Sequence, residues 1–295
     1  MMTAKMNDDK HIPGFVAAEG QPRQESLDIT RISGEHCSEV SDAVSIEEPL
    51  EIRVDGASFD EFPLAITMRT PGHDHELVAG FLFGEGIVGS IDDILGIEHC
   101  RPPSADRGIH NNIRATLRDD LEFAPPNLER HFYTTSSCGV CGKTSIEAVL
   151  GTRHVSIPAS IKISSAQLQA LPAGLRSKQD EFSSTGGVHA AGVFDSSGEV
   201  IRAREDVGRH NALDKLIGSI LLGGQLPLHS HGLVLSGRAS FELVQKAVIA
   251  GIGIIAAIGS PSSLAIELAR DSGVTLAGFV SDRGFNIYTH PEKII

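Results

Sequence analysis

The sequence predicts an α/β protein: a layered C-terminal domain over about residues 161–295, preceded by a smaller α+β region over residues 25–160. Two patterns carry that expectation. From Gly232 onward, short apolar runs alternate with amphipathic stretches in the order strand, helix, strand, helix, strand, an order that builds a buried, largely parallel sheet covered by helices. Earlier in the chain, Leu50-Glu-Ile-Arg-Val-Asp-Gly-Ala alternates apolar and polar residues as a half-buried strand does. At 295 residues the chain has ample length to bury a core.

Taken in order, residues 1–24 are polar and aperiodic and predict a loose tail. Leu50–Ala57 and Leu64–Arg69 predict a hairpin-like pair of strands. His73–Phe83 places Leu77, Val78, Phe81 and Leu82 at helical spacing, with Gly84 and Gly86 ending the run. Ile113–Leu117 reads as another strand, with Pro125-Pro126 as a breaker, and Ser145–Leu150 as a short helix. Gly187–Phe194 and Val200–Arg204 read as strands joined by the turn at Asp195–Gly198, and a helix is predicted over 211–222. The alternation that follows predicts strands at 232–236, 253–258 and 275–280, with helices at 241–250 and 262–271. Gly251-Ile-Gly-Ile-Ile-Ala256 fits a loose dinucleotide pattern but follows a helix and enters a strand, the reverse of what that fingerprint needs.

With 25 basic against 38 acidic residues, the formal charge is −13 and no Lys/Arg-rich block occurs. That argues against nucleic-acid binding, which needs a concentrated positive surface. No apolar run long enough to span a membrane is visible, and Met1–Gln24 lacks the apolar core of a signal peptide, so a cytoplasmic protein is expected. Four cysteines are too few for a secreted disulfide scaffold.

In sheets of this kind ligands gather beyond the carboxyl ends of strands, where helix N-termini direct N–H groups at anions. Ser236-Gly237-Arg238-Ala239-Ser240 and Gly259-Ser-Pro-Ser-Ser263 have that placement. Ser240 is expected to cap its helix and Pro261 to enter a first turn. His189 lies on a strand expected to end at the same pocket. Asp206 and His210 are read as shaping the turn before a helix, and His73, His75 and Glu76 as a solvated helix start.

Cys138-Gly-Val-Cys141 sits in a polar, Gly-bearing stretch after Ser136 and Ser137 and ahead of a predicted helix. A single C-x-x-C pair does not complete a structural zinc site, and His189-Ala-Ala191 lacks the general-acid Glu that zinc deaminases use. A helix N-terminus with Lys143 nearby favours thiolate. Dithiol redox chemistry and sulfur relay both remain open on spacing alone.

Ser137-Cys-Gly-Val-Cys-Gly-Lys143, Glu205-Asp-Val-Gly-Arg-His-Asn-Ala-Leu-Asp-Lys215, Ser236-Gly-Arg-Ala-Ser-Phe-Glu242 and Phe279-Val-Ser-Asp-Arg-Gly-Phe-Asn-Ile-Tyr288 together resemble the FdhD family, the formate dehydrogenase accessory or sulfur carrier proteins. The resemblance runs in order over about residues 45–295. It implies a cytoplasmic sulfurtransferase that takes sulfur from a cysteine desulfurase as a Cys138 persulfide, with Cys141 assisting. The acceptor it implies is Mo-bis(molybdopterin guanine dinucleotide), delivered before its insertion into formate dehydrogenase, with GDP as a mimic of its nucleotide end. Phe279, Val280, Ser281, Asp282, Arg283 and Gly284 then form the cofactor-binding segment, with Ser236, Gly237, Arg238 and His189 as further contacts. A cytidine-deaminase-like fold without zinc and a homodimer are also implied.

Overall fold

A computed structural model describes residues 20–121, 157 and 161–295. The Cys138 and Cys141 loop, Pro125-Pro126 and the helix expected at Ser145–Leu150 lie outside these residues.

Three sheets are present among the described residues. Strands β1 (Gln24–Ser33) and β2 (His36–Ser45) form an antiparallel ribbon. A second sheet, in the order β4-β3-β6-β5, is built from β3 (Glu48–Gly56), β4 (Phe59–Arg69), β5 (Ile94–His99) and β6 (Asn112–Leu117). The expected β3–β4 pairing is present and antiparallel.

The third sheet has six strands in the order β12-β11-β10-β9-β7-β8. Its members are β7 (His189–Phe194), β8 (Val200–Asp206), β9 (Gly232–Leu235), β10 (Ile254–Ala257), β11 (Thr275–Ser281) and β12 (Gly284–Thr289). Helices α4 (Arg209–Leu222), α5 (Phe241–Ile249) and α6 (Ser263–Asp271) follow β8, β9 and β10. Only the central β9-β10-β11 block is parallel. β7, β8 and β12 each pair antiparallel with a neighbour, so the sheet is mixed rather than largely parallel. The reason is local: the short turns at Asp195–Gly198 and Asp282-Arg283 make hairpins, whereas parallel neighbours need a helical crossover.

Both faces of this sheet are covered, which explains its continuous apolar runs. Leu233, Leu235, Ile255, Ala257 and Leu276 pack toward α4, α5 and α6. Val234, Ile254, Ala256 and Ala277 pack on the other face with Leu168, Leu171 and Leu175 of α2 (Ser165–Arg176). A short α3 (Asp180–Thr185) then leads into β7. Gly251 closes α5 and Gly253 leads into β10, which confirms that this glycine pair is no dinucleotide loop.

α1 (Asp74–Gly84) lies between the four-stranded sheet and α4. The crossing is close because both helices carry glycine there. A Cβ on Gly80 would lie 1.9 Å from the Asp214 carbonyl oxygen, and one on Gly218 would lie 1.8 Å from that of Glu76. One hydrophobic core therefore runs from Leu50, Ile52 and Ile113 through Leu77 and Leu213 to Leu233 and Ile255.

Charges beside this crossing are buried and paired. Arg69 donates to both Asp74 oxygens at 2.9 and 3.0 Å, and Arg204 to both Glu76 oxygens at 2.6 and 2.8 Å. The start of α1 is thus a neutralised buried junction, not the solvated end that its polar letters suggested. Arg69 is fully buried, and Asp74 and His75 are nearly so. The expected loose tail also ends earlier. Gln21 donates to Asp74 and accepts from the His110 N–H, and the Arg23 carbonyl accepts from Ile46.

Candidate functional site

The carboxyl ends of β9, β10 and β11 lie at one edge of the six-stranded sheet. Because β7 runs antiparallel to β9, His189 begins its strand at this edge instead of ending it there. β8 ends beside it, with Asp206 opposite His189 in register. One edge therefore gathers His189, the Asp206–His210 turn, Ser236–Ser240, Gly259–Ser263 and the β11–β12 turn.

The Glu205–Lys215 stretch is mainly a structural clamp. Glu205 accepts from the first backbone amides of α3, at Glu181 and Phe182. Asp206 accepts from the N–H groups of Thr70 and Gly208, from Asn211, and from Lys215 Nζ at 2.7 Å. Asp206 and Lys215 are both fully buried, and Lys215 also donates to the Thr70 carbonyl. Asp206 thus serves the turn and the junction of the two sheets, as its sequence context indicated. Arg209 and His210 are the half-buried members that remain at the edge. Arg209 Nε is buried without a hydrogen-bond partner among the described residues. His210 Nε2 lies 3.4 Å from Ser240 Oγ and 3.8 Å from Glu242. The neighbouring His210 imidazole, against the opposing effect of burial, holds the Glu242 carboxyl at about 2.

Ser240 occupies the N-cap of α5, but its hydroxyl faces His210 and makes no cap bond, contrary to expectation. α4 begins at Gly208, also without a side-chain cap and without an acidic residue in its first turn. Both helices begin at the strand-end edge, but α5 carries Glu242 in its own first turn, so it is the α4 N-terminus that meets no acidic side chain of its own and favours an anion. Ser262 does cap α6, accepting from Ala265, and Pro261 falls before that cap, outside the helix.

His189 is half-buried. Burial first, then the charges of Arg209, His210 and Arg238, push its imidazole below the ordinary histidine range, with Asp206 opposing. That favours the neutral imidazole, which can accept a hydrogen bond on one ring nitrogen. Ser236 Oγ accepts from the Ala190 N–H at 2.8 Å, which fixes the loop against β7. Gly237 lies against His189, where an added Cβ would sit 3.4 Å from Nδ1, and Gly259 packs on the Gly237 backbone. Arg238 is exposed at the same loop. A cavity of about 550 Å³ opens beside them, between α2, α3 and the ends of β7, β9 and β10.

In the β11–β12 segment, Phe279 has φ 54 and is 52% exposed, an unusual backbone for an aromatic residue. Its N–H donates to the Gly259 carbonyl, which ties this turn to the neighbouring loop. Val280 is 1% exposed and belongs to the core, so its side chain has no free surface for a ligand. Asp282 and Arg283 are exposed, Ser281 and Gly284 are half-buried, and the Arg283 N–H donates to Ser281 Oγ. Among the described residues no three His, Cys, Asp or Glu side chains converge to hold a metal. None of the described helices is long and apolar enough to cross a membrane.

Sequence reasoning missed Arg209 as a site residue and assigned no element to α2 or α3. A signal for α2 was present: Ser164 and Gln167 form a capping box, followed by Leu168, Leu171 and Leu175 at helical spacing.

A sulfur carrier protein FdhD of Mycolicibacterium paratuberculosis is 47% identical over 90% of this chain and 97% of its own length. The protein of that name from Streptomyces avermitilis is 45% identical over 90% and 94%, and that from Sulfolobus acidocaldarius 42% identical over 90% and 96%. A crystal structure described as a candidate formate dehydrogenase accessory protein from Desulfotalea psychrophila superimposes with a TM-score of 0.69 at 26% identity, covering 93% of this chain and all of the other. The model of the FdhD/NarQ family matches residues 45–295, and the chain belongs to that family.

Proposed function

We propose that the protein is a cytoplasmic sulfur carrier that holds sulfane sulfur on Cys138 and delivers it to a molybdenum bis(molybdopterin guanine dinucleotide) substrate destined for formate dehydrogenase. The observation that carries this reading is the convergence at one sheet edge of Arg209, Arg238, the α4 N-terminus, which has neither a side-chain cap nor an acidic residue in its first turn, and the Phe279–Gly284 turn. That is an anion-receiving surface on a chain of net charge −13. The relatives named sulfur carrier proteins add support for the chemistry.

In this reading the Cys138 thiolate attacks the outer sulfur of a desulfurase persulfide. The donor's sulfur–sulfur bond breaks, one forms on Cys138, and the donor leaves as thiolate. The chain's remaining groups bind and orient. Arg209 and Arg238 meet phosphate oxygens, neutral His189 accepts a hydrogen bond, and Phe279, Ser281, Arg283 and Gly284 line the approach. Val280 contributes through the core beneath them. Helices on both faces of the six-stranded sheet support a cytidine-deaminase-like layering, on which His189-Ala-Ala191 lacks the Glu of zinc deaminases. A desulfurase donor, a formate dehydrogenase client, a homodimer and an assisting Cys141 complete the proposal.

The test is complementation of a host lacking its own carrier. The wild-type chain is expected to restore formate dehydrogenase activity and Cys138→Ala to leave it at background. Full restoration by Cys138→Ala would refute the sulfur-carrier reading.

A further inference from the structure

The β1–β2 ribbon is the part of the molecule that the strand-end edge leaves unused. Its two strands pair in register along their whole length, and among the described residues no third strand flanks either of them. Every residue from Thr30 to Glu39 is exposed, and Ile32, opposite the exposed Cys37, is 73% so. A two-stranded ribbon on its own is marginally stable in water at best, and open strand edges invite a partner. The root of the ribbon, by contrast, is fixed. Ser45 Oγ lies 2.6 Å from Thr185 Oγ1 and donates to Glu181, and Arg23 pairs with Glu181 at 3.7 Å. A Cβ on Gly187 would lie 3.4 Å from Ser45 Oγ. Gly187 and α3 also line the cavity beside His189, so the arm projects from the rim of the strand-end edge.

Glu25, Asp28, Glu35, Glu39 and Asp42, against Arg31 alone, give the arm a formal charge of −4. That sign excludes nucleic acid and an anionic membrane surface as its occupant, and it keeps the arm itself from holding an anionic cofactor. A second copy is repelled for the same reason, since the whole chain stands at −13 without a Lys/Arg-rich block. A protein that receives an anionic nucleotide cofactor, however, needs positive charge around its entry. We infer that the β1–β2 arm docks on the basic mouth of the protein that receives the cofactor, its carboxylates meeting the positive rim and Ile32 seated on apolar surface at the tip. Docked in this way, the arm sets the strand-end edge against the recipient's entry. This rests on the cofactor-delivery reading and assigns the surface that selects the client.

The test is binding of the full chain to formate dehydrogenase apoprotein, immobilised on a sensor surface, at low and at high salt. Asp28, Glu35 and Glu39 are exposed and lie away from the arm's root, so their combined replacement, Asp28→Lys, Glu35→Lys and Glu39→Lys, leaves the fold intact. The combined variant is expected to bind the apoprotein roughly tenfold or more weakly, with slower association and without the wild-type loss of affinity at high salt. Ile32→Ser should weaken binding through faster dissociation instead. In both, the sulfur gain from a cysteine desulfurase and cysteine is expected to stay at the wild-type level. Wild-type affinity in the charge-reversed variant would overturn the docking and leave the sulfur-carrier reading standing. A change in that variant's own sedimentation would show the arm seated on a second copy, and would overturn the docking equally. A wild-type chain that does not bind the apoprotein overturns the docking alone if it gains sulfur, and the sulfur-carrier reading with it if it gains none.

Discussion

Replacing Gly80 by alanine tests the packing that joins the two sheets. In an exposed helix the change would stabilise, since alanine exceeds glycine in helix propensity by about 1 kcal/mol. Here the new Cβ would meet the Asp214 carbonyl oxygen at 1.9 Å, so α1 and α4 must part by about 1.1 Å to reach even a tight contact of 3.0 Å. Parting them loosens Leu77, Val78, Leu213 and Ile217 together, because all belong to the shared core. Overpacking of this kind costs about 1–3 kcal/mol, so the net prediction is a loss of up to about 2 kcal/mol after the propensity gain. Gly218→Ala should behave alike, and the double variant should cost less than the sum, since one separation relieves both clashes. Urea unfolding followed by circular dichroism reads the difference as a lower midpoint at unchanged slope. A Gly80→Ala midpoint at or above wild type would refute the close-crossing argument.

Asp206→Ala removes the carboxylate from fully buried Lys215, and unfolding should show a loss of about 3–5 kcal/mol; a loss under about 1 kcal/mol would mean the pair is not the clamp described. Burial pushes the Glu76 carboxyl up, but its bonds from Arg204 and His73 overcome this and hold it at about 2. Its folded value lies below its unfolded one, so its contribution is complete above about pH 4.5 and fades as pH falls toward 2. Arg204→Ala should flatten that acid limb in stability measured from pH 5 to 2, and an unchanged limb would contradict the pairing. Phe279→Gly relieves a left-handed backbone that costs a non-glycine residue about 1–2 kcal/mol. Stability should hold or rise while GDP affinity falls, and a clear stability loss would show that the ring packs instead of serving the site.

Much of this architecture is legible in the letters. β6, α1 and every element from β7 to β11 fall within a few residues of the positions their apolar periodicity indicates, because those elements bury one face or both. What escapes periodicity is equally physical. β1 and β2 are largely exposed, so their polar alternation carries no core signal. β12 is half-exposed at a sheet edge, and strand direction depends on which neighbour each hairpin meets, which is how His189 came to begin its strand at the site. At the site itself, motif resemblance pointed to the Phe279–Gly284 turn and to Ser236–Arg238. It could not separate Val280, which is core, from Phe279, which is exposed. Arg209 sat inside a stretch whose other members serve structure.

The most direct measurement is the intact mass of the chain after incubation with a cysteine desulfurase and cysteine. A gain of one sulfur atom is expected, removed by reductant and absent from Cys138→Ala while retained in Cys141→Ala. A sulfur gain that persists in Cys138→Ala would contradict it.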